Sequence, residues 1–100
     1  MEPAYIYRAT CHRVVDGDTF EADVDLGFYV TLRVKVRLHN VDTPERGEVG
    51  WSEASAALRE FITEKPLILQ SYKDQRTFER WVCDVWVDDE NVSEHMKAWQ

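Results

Sequence analysis

The sequence predicts a mainly β, α+β domain: a five-stranded Greek-key barrel carrying two helices. Three observations carry that prediction. Val30, Leu32, Val34, Val36 and Leu38 alternate with Thr31, Arg33, Lys35 and Arg37 in strict period two, as in a strand with one buried face. The run Trp51 to Lys65 instead sets Ala54, Leu58, Phe61 and Ile62 on one helical face, and Pro66 closes it. Around these, three strands, a helix, two strands and a terminal helix follow one another in an order that suits a small barrel. The 100 residues, 44% hydrophobic with four Trp, supply one modest core and no linker that would divide it.

Tyr5 to Val15 reads as the first strand, with Ile6, Val14 and Val15 directed at the core. Asp16-Gly-Asp-Thr19 is a turn in which Gly17 is expected at positive φ between two acids. Phe20 to Asp25 is the second strand, apolar at Phe20, Ala22 and Val24 and acidic at Glu21, Asp23 and Asp25; Leu26-Gly27 closes a hairpin. On the third strand Arg33 and Lys35 read as a solvated sheet face, while Arg37 lies nearest the acidic turn that follows. In that turn Pro44 fixes its own φ and pushes Thr43 toward an extended conformation, so Asp42 and Glu45 are held rigidly. Ser52 is the expected N-cap of the first helix, and Glu53 suits the positive end of its dipole. Leu67 to Tyr72 is a fourth strand, Lys73 to Glu79 a polar excursion, and Arg80 to Trp86 a fifth strand. After the turn at Asp88-Asp-Glu90, Asn91 or Ser93 caps a short helix along which Val92, Met96 and Trp99 align.

A net charge of −7, from 19 acidic and 12 basic residues, excludes a protein that holds nucleic acid by bulk electrostatics. Any phosphate must be gripped by a local group of arginines or by a metal ion. No apolar run approaches the ~20 residues of a membrane span, and the first residues lack the apolar stretch of a signal peptide. As given, the chain reads as a cytoplasmic monomer without membrane attachment. Cys11 and Cys83 sit in strand-like surroundings without C-x-x-C spacing and read as free, partly buried thiols. His12, His39 and His95 are scattered, which argues against zinc. Asp16-Gly-Asp-Thr-Phe20 breaks the EF-hand loop pattern at its third ligand position, and there is no P-loop, dinucleotide-binding glycine turn or Gly-x-Ser-x-Gly elbow.

Asp16, Asp18, Asp42, Glu45, Arg37 and Arg80 admit two readings. In one, Asp18 and Asp42 cap turns and pair with the two arginines as structural salt bridges. In the other, Asp18 and Asp42 offer hard oxygen ligands to Ca²⁺ or Mg²⁺, helped by a backbone carbonyl. The two guanidiniums then clamp a phosphate, and a carboxylate left unligated draws a proton from water. That set makes a minimal phosphodiester hydrolase. Spacing alone leaves both readings open.

Val15-Asp-Gly-Asp-Thr19, Arg37-Leu-His-Asn-Val-Asp-Thr-Pro-Glu45, Glu53-Ala-Ser-Ala56, Gln75-Arg-Thr77 with Arg80, and Val92-Ser-Glu94 follow one another along the chain. In these pieces and their order the sequence resembles the staphylococcal nuclease (thermonuclease) homologues over most of its length. The resemblance implies an OB-type five-stranded barrel, one domain over residues 1–100, and a Ca²⁺-dependent phosphodiesterase acting on DNA, RNA or both. It implies that Asp18, Asp42 and the carbonyl of Thr43 hold Ca²⁺, with Asp16 supporting them. Glu45 would activate or position the attacking water. Arg37 and Arg80 would bind the scissile phosphate, Arg80 also near the leaving oxygen.

The chain departs from the family in three respects. It is acidic where the best-known members are basic, so substrate binding is expected to be weak and salt-sensitive. Phe78-Glu79 replaces a Lys-Tyr-Gly-like turn, leaving the family's nucleotide-stacking tyrosine without a match. The chain also ends at Gln100, short of the family's later tyrosine-bearing loop and C-terminal helix. The alternative function is a non-catalytic OB-type module that binds nucleic acid or protein.

Overall fold

The alternating third strand becomes part of a closed wall because it pairs on both sides. In the computed structural model the described residues are 1–77 and 79–100, those at 73–75 and 77 by their backbone alone. The elements are β1 (Ile6–Asp16), β2 (Thr19–Asp25), β3 (Thr31–Leu38), α1 (Trp51–Ile62), β4 (Leu67–Thr77), β5 (Arg80–Val87), β6 (Glu90–Asn91), α2 (Val92–Met96) and a 3₁₀ turn, Lys97–Trp99. Strand order is β3-β2-β1-β4-β5, antiparallel throughout. A parallel pairing of Val36, Arg37 and Leu38 with Trp81, Val82 and Cys83 closes the ring. The protein is therefore a mainly β, OB-like five-stranded barrel with two helices, as its sequence predicts. No helix among the described residues is long and apolar enough to cross a membrane.

The core fills the barrel and the helices cover it. Phe20, Ala22, Val36, Leu67 and Val85 from the strands meet Leu58 and Ile62 of α1 and Val92 and Met96 of α2, all buried. Each large apolar side chain so enclosed contributes about 1.5–3 kcal/mol relative to exposure.

Several elements differ from expectation, each for a local reason. Ile6 is 54% exposed; Tyr7, Ala9 and Cys11 face inward instead. A register shift between Cys11 and Arg13 then advances the phase, so that Val14 packs against the core. Helix α1 starts at Trp51 behind Gly50, whose φ of 94° serves as N-cap; Ser52 lies inside the first turn. The helix ends at Ile62 rather than Lys65, because Thr63 is extended and Glu64 has φ 60°.

Strand β4 continues through the segment expected as an excursion, reaching Thr77 with an irregular register between Ser71 and Arg76. The side chains of Gln75 and Thr77, part of the family-like motif, and Phe78, where the chain departs from it, lie outside the described residues. Asp88 and Asp89, at φ 48° and 66°, make a two-residue hairpin turn that adds β6 to β5. Asn91 caps α2 by accepting from Glu94 N at 3.0 Å, while Ser93 is buried within the helix. Both cysteines are free, and burial, then the neighbouring Asp84, pushes the Cys83 thiol up to about 12. Arg33 is not merely solvated: it binds Asp23 across the strands at 2.8 Å.

Candidate active site

The site-bearing end of the β2–β3 ladder is where Thr19 pairs with Arg37. Asp18 enters just before that pair, its carbonyl accepting from Leu38 N at 2.8 Å. Its side chain is only 7% exposed and accepts twice, from Thr19 Oγ1 and from Thr43 N, each at 3.0 Å. Charge buried this way requires partners. A third is Arg37, whose Nη2 lies 3.5 Å from Asp18 Oδ2 and 3.5 Å from Asp42 Oδ1. Nη1 of the same guanidinium donates to Leu38 O at 2.7 Å and Val41 O at 2.6 Å, which fixes its orientation against the loop after β3.

Arg80 reaches the cluster from β5, its Nη1 3.4 Å from the Thr19 oxygen whose hydroxyl donates to Asp18. Asp18, Asp42, Arg37 and Arg80 thus form one connected set. Asp42 is 87% exposed, unlike the buried Asp18, and its backbone N–H donates to Gln100 Oε1 at 3.2 Å. Glu45 is exposed too. Its N–H donates to Glu48 Oε1 at 2.6 Å and its carbonyl accepts from Glu48 N at 2.9 Å, so the two glutamates lock this turn. Glu45 opens with Asp42, Thr43, Glu48 and Gln100 onto a cleft of about 650 Å³.

Gly17 joins the pieces for a reason other than the one expected. Its φ is not in the left-handed range; a Cβ there would lie 2.7 Å from both Ala54 Cβ and Thr43 Oγ1. The missing side chain lets the Asp-Gly-Asp turn, the Asp-Thr-Pro-Glu turn and α1 touch. Asp16 ties the same turn to the helix start by accepting from Trp51 Nε1 at 2.7 Å. Trp51, Glu48 and Gln100 were not among the predicted site residues. Only Glu48 left a signal, a carboxylate three residues beyond Glu45 across a glycine.

Whether the donors suit the Ca²⁺ that the family resemblance implies can be judged from the side chains. Among the described residues no three His, Cys, Asp or Glu side chains gather around one point, so any metal here would have at most two carboxylates. Asp18 and Asp42 do converge on a single cation, the Arg37 guanidinium, and Thr43 Oγ1 beside them is buried without a partner. The Asp18 and Asp42 carboxylates are hard oxygen donors of the type Ca²⁺ takes, although both Asp18 oxygens already accept hydrogen bonds from the protein. No protein-family model and no curated protein matches this chain.

Proposed function

We propose that the protein is a Ca²⁺-dependent phosphodiesterase that hydrolyses DNA, RNA or both. Arg37, Arg80 and Glu45 act at the reacting phosphate, and Asp18, Asp42 and the Thr43 carbonyl are the metal ligands. One observation carries the reading: Arg37 lies 3.5 Å from both carboxylates while Arg80 reaches the same cluster through Thr19. Ca²⁺, when bound, supplies positive charge beside the phosphate.

The chain's own groups do the rest. Two donors of Arg37 are committed to the Leu38 and Val41 carbonyls, so the guanidinium is positioned in advance. A donor fixed in advance stabilises charge as it builds on phosphate oxygens without reorganising at that moment. Arg80, at the start of β5, adds a second guanidinium with a fork suited to phosphate oxygens. Glu45, exposed in the cleft with its backbone locked by Glu48, holds water and takes its proton as it attacks.

The test is digestion of plasmid DNA and of RNA with Ca²⁺ against EDTA. Cleavage in Ca²⁺ alone is expected. Activity surviving EDTA would reject the metal's part. A second reading, the non-catalytic OB-type binding module, draws on one observation: both Asp18 oxygens already accept hydrogen bonds from the protein. Folded protein inactive under both conditions would favour it.

A further inference from the structure

Glu45 also borders a second cleft, of about 410 Å³, between the end of β1, the loop after β3 and α1. Arg13, Asp16, Glu45, Arg46, Trp51 and Arg59 line it, three arginines around an indole in a chain of net charge −7. Pairing decides which of these charges are available. Arg13 is bound to Glu21 at 2.7 Å, and Asp16 accepts from the Trp51 indole at 2.7 Å. Among the described residues neither Arg46 nor Arg59 has a carboxylate within ion-pair distance. Arg46 lies instead over the Trp51 ring, 5.2 Å from its centroid.

The geometry points to a binding site for a nucleotide unit, with its phosphate on Arg46 and Arg59 and its base against the indole of Trp51. Guanidiniums take phosphate oxygens bidentately. As Arg46 turns toward the phosphate it uncovers the ring face, and a stacked base is a stronger partner for an indole than an exposed cation. The hydrogen bond to Asp16 already fixes the ring, so little freedom is lost on stacking. Arg46 and Arg59 are both exposed, so neither must leave a packed position to do this. Placing this nucleotide next to the scissile phosphate rests on the phosphodiesterase reading, because Glu45 borders both clefts. The binding itself needs no turnover.

The test is fluorescence anisotropy with a short labelled oligothymidylate at low salt, in EDTA. Trp51→Leu and the double variant Arg46→Ala/Arg59→Ala are each expected to weaken binding about tenfold. In the double variant the salt slope falls by about 0.7, the loss of one phosphate contact. Trp51→Phe, which keeps a ring but loses the Asp16 hydrogen bond, retains most of the affinity. Wild-type affinity in Trp51→Leu and the double variant overturns the proposal, as does wild-type protein that binds no oligothymidylate. If Trp51→Leu does not fold, the double variant, which changes only exposed side chains, decides. Arg37→Ala separates the two readings. Binding lost there and unchanged in the cleft variants removes this site and leaves the hydrolase. Binding lost in the cleft variants, with no Ca²⁺-dependent cleavage by wild type, keeps this site and removes the hydrolase.

Discussion

The two ends of the β2–β3 ladder share a hydrogen-bonding pattern and little else. At the end where Thr19 faces Arg37, Phe20, Val36 and Leu38 are at most 1% exposed, and Asp18, Asp42, Arg37 and Arg80 are joined through ion pairs and Thr19 into one set. At the other end, where Asp25 faces Thr31, the hairpin tip shows Phe28 at 97%, Tyr29 at 109% and Leu32 at 51% exposure. The cause lies outside the ladder. β5 pairs with β3 only from Val36 onward, so the earlier apolar residues of β3 lack that neighbour. Period two identifies the apolar face of a strand; a partner distant in sequence decides how much of it is covered.

The largest effects should come from the covered end. Glu45→Gln and Arg37→Lys are each expected to lower kcat about 10²–10³-fold, the ~3–4 kcal/mol typical of a lost transition-state group. Glu45→Gln should leave the melting temperature unchanged, since that side chain is exposed. Steady-state cleavage in Ca²⁺ checks both, and wild-type turnover in either variant removes the assigned role. Gly17→Ala comes next. Its methyl would meet Ala54 and Thr43 at 2.7 Å, so a loss of about 1–3 kcal/mol in urea unfolding is expected.

At the open end the sign reverses. Phe28 and Tyr29 hold φ of 54° and 60°, a strain for side-chain-bearing residues that glycine avoids. Tyr29→Gly should therefore stabilise by about 0.5–1 kcal/mol. A clear loss would mean that the tip is packed and the contrast between the two ends is wrong.

The same contrast marks what the sequence discloses. Phe20, Ala22, Val24, Val36 and Leu38 all face the core as their alternation requires. Ile6 does not, because the bulge after Cys11 changes the phase of β1 and no composition signal marks a bulge. The charged residues of the site were legible as types, since two carboxylates and two arginines around turns already suggest phosphate chemistry. Their supports were not. Gln100 is 58 residues from the Asp42 amide that it accepts from, and the Trp51 indole 35 residues from Asp16. Such pairs exist only once the barrel has closed. Gly17 was identified as special but for the wrong property, because a close approach, unlike a turn, depends on what lies opposite.

The smallest expected effect tests whether the polar wall beside the covered end behaves differently from the ion pairs along the hairpin. Tyr72 donates to Asp84 Oδ2, and Asp84 Oδ1 lies 3.3 Å from His39 Nδ1, just past the end of β3. The hydrogen bond to Asp84, then burial, raises the Tyr72 pKa above its usual 10.0. Its contribution to stability is thus fully present below pH 10 and lost as pH rises through the raised folded value. On the hairpin, Arg33 and Arg13 lower the carboxyl pKa values of Asp23 and Glu21. Those contributions are present above the ordinary carboxylate range and lost as pH falls through the folded values. Tyr72→Phe should cost about 1 kcal/mol or less at neutral pH and flatten the alkaline arm of the stability profile. Asp23→Asn should flatten only the acid arm. Urea unfolding across pH separates the two, and an alkaline arm unchanged in Tyr72→Phe would show that the Asp84 hydrogen bond does not set it.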